Sequence, residues 1–254
     1  MEGHPYPDIR RVTVDQSTLW LAAGWRDFKA NPVVSLVYGL LFTIGGYALV
    51  LGLGQMGMQS LILPLVGGFM LVAPILAVGL YEASRRREAN ETVRVGICIS
   101  AFRRNPIQLA SYGLTLLILY LTWLMLALLI FAVFYNERPP ALDSFLIEVL
   151  VAPQAPLFLI VGTAVGGVLA WVAFSISVVA LPMMLDRDVS AIYAMAASVE
   201  ATRKNTKVMI GWAAMIALIT LVGMATFFVG LAIALPLVGH ASWHAYRAMI
   251  GSRP

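Results

Sequence analysis

Charge is missing from most of this chain. Asp, Glu, Lys and Arg make up 12% of its 254 residues, about half of what soluble domains carry. Four windows hold none at all: 30–81, 105–136, 149–185 and 208–246. A water-soluble fold would lack polar surface, so that class is excluded. Ionisable side chains within a bilayer usually mark proton relays or coupling-ion sites, and their absence from the apolar runs argues against an ion-coupled pump. There is one cysteine, Cys98, so no intrachain disulfide can form, and Cys98 reads as a small apolar filler. No serine sits in a nucleophile elbow and no glycine-rich phosphate cradle precedes a basic residue. The opening residues are polar, so a cleavable signal is not expected.

What is present is apolar length. Apolar residues are 60% of the chain, and one helical crossing needs about 20 of them in a row. The first window therefore holds two spans, about 33–53 and 61–81, with Pro64 and Pro74 bending the second. The next two windows hold one span each, about 107–134 and 157–181. The last holds two short ones if the chain turns tightly near Gly223 to Thr226. The expected fold is an all-α polytopic membrane protein with six transmembrane helices, a single integral membrane domain over 1–254 with a flexible tail at 1–11.

The net charge of +4 does not signal a nucleic-acid partner, because the cations are distributed by topology. Arg10, Arg11, Arg26 and Lys29 precede the first span, and Arg85, Arg86, Arg87, Arg94, Arg103 and Arg104 lie between the second and third. Arg187, Arg203, Lys204 and Lys207 lie between the fourth and fifth, and Arg247 and Arg253 follow the sixth. Only Arg138 remains for the opposite side, in the company of Glu137, Asp143 and Glu148. The positive-inside rule makes both termini cytoplasmic and the 136–154 loop external. An even number of spans requires the same. Lipid headgroups are the expected partners of the basic clusters, with Arg85, Arg86, Arg87, Arg103 and Arg104 as the contact set.

A motif recurs at the start of the spans. Phe28, Asn31, Pro32, Tyr38 and Gly39 return at the same spacing as Phe102, Asn105, Pro106, Tyr112 and Gly113. Each time a basic amphipathic segment runs into Asn-Pro, which disfavours helix at the asparagine and suits the first turn of the next helix. In the first copy Val14, Thr18, Leu21, Trp25 and Phe28 define one helical face, with Arg26, Asp27 and Lys29 elsewhere, so this helix is expected to lie along the membrane surface. Val93, Ile97, Ala101 and Phe102 make the second such helix. Ile192, Met195, Ala196 and Val199 make a more diverged third that ends at Asn205. The plan is three hairpins, each preceded by a cytoplasmic interfacial helix, as pseudo-repeats over roughly 12–81, 93–185 and 189–247.

Candidate chemistry is sparse. His240 and His244 are i, i+4 neighbours, a spacing that can place two ligands on one metal, but Ala241 stands where a zincin would carry glutamate. A structural or interfacial role beside Trp243 and Tyr246 is the favoured reading, and no cofactor is expected. Glu82 beside Arg85, Arg86 and Arg87 reads as a solvated ion-pair cluster. Gly162, Gly166 and Gly167 in the fourth span suit close helix packing.

With Gly24-Trp25-Arg26-Asp27-Phe28, Asn31-Pro32, Tyr38-Gly39-Leu40 and Gly239-His240-Ala241-Ser242-Trp243-His244-Ala245-Tyr246-Arg247 in view, the chain resembles a bacterial family of uncharacterised six-helix inner-membrane proteins. Members of that family are sometimes labelled cytochrome c oxidase subunits. A catalytic haem–copper subunit needs about six histidines for its metals, whereas this chain has His4, His240 and His244, so that subunit is excluded. The resemblance leaves an accessory role beside an oxidase. Three functions are carried forward. The favoured one is a non-enzymatic accessory or scaffold with a membrane-protein partner or a second copy of itself. The second is an uncoupled channel or carrier for a neutral or lipid-like solute, and the third is a haem or metal protein using His240 and His244.

Overall fold

The structure, a computed structural model, describes residues 8–58, 61–136 and 145–250. Expectations for His4, for Arg138 and for Arg253 lie outside the described residues, as does most of the 1–11 tail. Among the described residues every regular element is helical. In chain order these are α1 (Gln16–Ala30), α2 (Pro32–Gln55), α3 (Ile62–Leu76), α4 (Val78–Glu88), α5 (Val95–Ser100), a 3-10 turn (Ala101–Arg103), α6 (Pro106–Tyr135), α7 (Phe145–Val151), α8 (Ala155–Ser177), α9 (Ala180–Asp186), α10 (Ala191–Lys204), α11 (Thr206–Ala225) and α12 (Leu231–Ile250).

Among the described residues, four helical stretches are long and apolar enough to cross a membrane: Pro32–Gln55, Pro106–Tyr135, Ala155–Asp186 and Thr206–Ala225. The six-span count is not met on that criterion, for two local reasons. The second expected span is interrupted at Ala77, three residues beyond Pro74, and then runs on as α4 into the charged end of Glu82 to Glu88. The last helix, α12, carries two histidines, a serine and an arginine between His240 and Arg247. The chain turns from α11 to α12 over Thr226 to Gly230, beyond the expected Gly223 to Thr226, because α11 runs on to Ala225. Phe227 and Phe228 adopt positive φ, and the Thr226 hydroxyl donates to Gly223 O (2.8 Å) and accepts from Gly230 N–H (2.9 Å).

The chain forms two compact units. One draws on 44–73 and 114–173 and is held by aromatic rings. Trp123 packs over Gly166 and donates Nε1–H to the Pro64 carbonyl (2.8 Å), and Tyr120 covers Gly68. Tyr135 stacks on Phe131, meets Phe158 edge-on and donates to the Val149 carbonyl (2.8 Å).

The other unit comprises the segments up to Thr43, Pro74–Gly113 and from Phe174 onward. Here α1 lies along α12 at very close range. A Cβ at Gly24 would come within 2.6 Å of Ala241 N, and one at Gly39 on α2 would collide with the carbonyl of Ala232. The buried face of α1 is Ser17, Trp20, Gly24, Asp27 and Phe28. The face defined by hydrophobic spacing is a different one that shares only Phe28 with it, and on it Val14 is 62% and Trp25 41% exposed. Trp20 packs edge-on against Trp212, and the neighbouring helices supply donors for Asp27, so a polar residue can sit on the inner face.

Asn31, Asn105 and Asn205 each stand at a helix junction, immediately before α2, α6 and α11. Seven residues beyond each comes a buried aromatic: Tyr38, Tyr112 and Trp212. Asn105 Nδ2 reaches the Val189 carbonyl just before α10 (3.4 Å). Asn205 accepts from Val12 N–H (2.9 Å) and donates to the Arg10 carbonyl (3.1 Å), just before α1. Asn105 and Asn205 therefore do tertiary work as well as standing at helix junctions.

Candidate functional site

The polar residues of the fold converge on α12 between His240 and Arg247. Asp27, only 1% exposed, is the hub. Its Oδ2 accepts from the Ser84 hydroxyl (2.5 Å) and from His244 Nε2 (2.9 Å), and its Oδ1 is paired with Arg87. Three donors on two helices thus saturate one carboxylate. Burial disfavours its charge, but the hydrogen bonds from His244 and Ser84 and the positive potential of the histidines outweigh that, so Asp27 lies below the usual carboxylate range.

Proton placement follows from this. The Ser84 proton goes to Asp27, so the Ser84 oxygen can only accept from His240 Nδ1 (2.8 Å). With that proton on Nδ1, a neutral His240 presents Nε2 as an acceptor 3.0 Å from the Ser35 hydroxyl on α2, whose one proton has the Asn31 carbonyl (2.9 Å) as its other acceptor. His240 is fully buried with both ring nitrogens partnered. The chain Ser35–His240–Ser84–Asp27–His244 joins α2, α12, α4 and α1.

The remaining polar groups of α12 follow the same rule. Trp243 donates Nε1–H to Glu88 (3.0 Å), and Arg247 forks onto the same carboxylate at 2.8 to 3.1 Å. Tyr246 donates to Asp186 at the end of α9 (2.8 Å). Trp243 and Tyr246 are buried, so the interfacial reading of these rings gives way to an internal one. A cavity of about 240 Å³ opens over Asp27, lined by Ser84, Arg87, Glu88, Asn90 and His244.

A second saturated carboxylate lies on α4. Glu82, 1% exposed, receives Arg85 in a fork (2.8 and 3.0 Å), Arg86 (2.6 Å) and Arg104 (3.3 Å). The cluster is buried at its acidic centre, which corrects the solvated pair expected from sequence. Burial opposes the charge on Glu82, and the bonds and charges of Arg85, Arg104 and Arg86 overcome it and hold its carboxyl below the usual range. Of the arginines expected at headgroups, Arg85, Arg86 and Arg104 are thus turned onto Glu82 and Arg87 onto Asp27, while Arg103 is exposed and makes no ion pair among the described residues. Cys98 is fully buried next to this cluster, and burial together with the charge of Glu82 pushes its thiol up to about 11.

Chemically, this arrangement holds helices together. Asp, Ser and His meet, but not in the order of a hydrolytic triad, where histidine lies between the other two. Here the serine does. As metal ligands, His240 has no free ring nitrogen, and among the described residues no three His, Cys, Asp or Glu side chains are grouped to hold an ion. The repeat-junction residues support the same core: Tyr38 packs against Gly79, Tyr112 donates to Ser177 (2.5 Å), Gly113 faces Ile75, and Phe28 is buried with Phe102 half-buried. Sequence reasoning missed Asp27, Ser35, Ser84, Glu88 and Asp186. A signal existed for the first: Ser17, Trp20, Gly24 and Asp27 recur at spacings of three, four and three, which is one helical face of small and aromatic residues.

Residues 62–186 match the model of a family described as predicted integral membrane protein (DUF2189), whose function is unknown. That is the kind of family named by the resemblance. No curated protein and no solved structure matches the chain.

Proposed function

We propose that this chain is a non-enzymatic accessory or scaffold protein of a bacterial inner membrane, with six spans and both termini in the cytoplasm. The observation that carries this reading is the closed polar network of α12. From His240 to Arg247, every histidine, the tryptophan, the tyrosine and the arginine is bonded to another helix. A fully satisfied buried network rigidifies and specifies one arrangement, which suits a scaffold. The four long apolar helices would be completed by α3 with α4 and by α12 as shorter crossings, each giving a hairpin with the helix before it. Much of α6 and α8 is exposed, and lipid tails and partner helices are the surfaces that suit it.

Affinity purification of the tagged chain in a mild detergent tests this, with an absorption spectrum and identification of co-eluting chains on the same sample. Stoichiometric membrane-protein partners are the expected result, and oxidase subunits with haem bands would place the work in respiration. A chain that elutes alone and passes a neutral solute across vesicles would replace the scaffold with a channel or carrier.

A further inference from the structure

We propose that Lys29, Arg103 and Arg203 are three equivalent contacts for the phosphate of anionic phospholipid headgroups. This rests on the membrane reading above. Each cation stands two residues before a junction asparagine, Asn31, Asn105 or Asn205, and so three before the first residue of α2, α6 or α11. Those three helices are among the four able to cross a membrane. The cations therefore sit where water meets hydrocarbon at the starts of three spans. All three fall in the same compact unit.

Several of their basic neighbours are already engaged. Arg85, Arg86 and Arg104 are held by Glu82, Arg87 by Asp27 and Arg247 by Glu88, and Lys204 donates to the Ile9 carbonyl. Lys29, Arg103 and Arg203 are exposed. Lys29 has the Trp25 ring 6.0 Å from its ammonium, and Trp25 is itself exposed, as headgroup-zone tryptophans are. Among the described residues Arg203 has only the half-buried Glu200 at 3.8 Å, a contact of little worth in water. Arg103 has no ion pair among the described residues. A competing role is local: all three end a helical turn and face its negative pole. That role would not discriminate between lipids.

Bound lipids on the full-length protein are counted by native mass spectrometry during titration with phosphatidylglycerol or phosphatidylcholine in neutral detergent. The triple variant Lys29→Gln, Arg103→Gln, Arg203→Gln is expected to bind phosphatidylglycerol about fivefold more weakly per site, with phosphatidylcholine unaffected. A control triple, Arg11→Gln, Arg26→Gln, Arg94→Gln, removes the same charge from other exposed positions and should stay within about twofold of wild type. Arg103→Gln alone, should the triple fold poorly, is expected to weaken one site of three. Inorganic phosphate at millimolar concentration should not compete. Wild-type binding in Arg103→Gln and the triple, equal loss in the control, or displacement by free phosphate would each overturn the proposal. A chain that alkaline carbonate strips from membranes would overturn the membrane reading with it, whereas an integral chain with no lipid preference overturns this inference alone.

Discussion

Asp27 shows what a single buried charge demands. Its removal in Asp27→Ala leaves Ser84 and His244 without their acceptor and Arg87 without its counter-ion, a loss of about 3 kcal/mol, read as a lower unfolding midpoint in detergent. The carboxyls of Asp27 and Glu82 are both held below their ordinary values in the folded state. Their contribution is therefore complete above the unfolded carboxylate range of about 3.9 to 4.3 and disappears as pH falls through the lower folded values. Their share of the midpoint should be lost below about pH 4, with a shallower acid limb in Asp27→Ala than in the wild type. Two tyrosines, each seven residues beyond an asparagine at a helix junction, differ in what their hydroxyls meet among the described residues. Tyr38 Oη is buried with no hydrogen-bond partner, whereas Tyr112 donates to Ser177. Tyr38→Phe should leave stability unchanged or raise it, and Tyr112→Phe should cost about 1 kcal/mol in the same melting assay.

Between helices, glycine decides how close two backbones come. Gly39 lies where α2 meets the Ala232 carbonyl of α12, a rigid backbone atom that cannot yield to a methyl group. Gly39→Ala must push the helices apart, at about 1–3 kcal/mol. Gly162 on α8 has open space around it, so Gly162→Ala should change the midpoint by less than about 0.5 kcal/mol equivalent. A pair of thermal melts compares them directly. Comparable losses would mean that helix approach at Gly39 is not limiting.

For the molecule as a whole, the open question of spans five and six has a direct readout. With Cys98→Ala as background, Met56→Cys and Val229→Cys are expected to react with a membrane-impermeant maleimide from the external side, and Arg11→Cys only after permeabilisation. Met56 and Val229 are both exposed, at 73% and 59%. A silent Val229→Cys would mean that α11 and α12 do not form a crossing hairpin, and the protein would have to be redrawn with fewer spans.

Much of the architecture was legible because it is local. Asn-Pro ends one helix and opens the next wherever it occurs, so Pro32 and Pro106 start α2 and α6 as the sequence dictates. Length without charge marks the long helices, and a lone cysteine next to apolar neighbours is buried. The sequence alone could not determine which face of α1 turns inward, because Asp27 is tolerable inside only when His244, 217 residues away, and Ser84 and Arg87 arrive as donors. Nor could it tell the arginines that neutralise Glu82 from Arg103, which stays exposed, since both kinds occur in the same basic run. Burial of a charge depends on partners that distant segments bring, and only the tertiary structure brings them together.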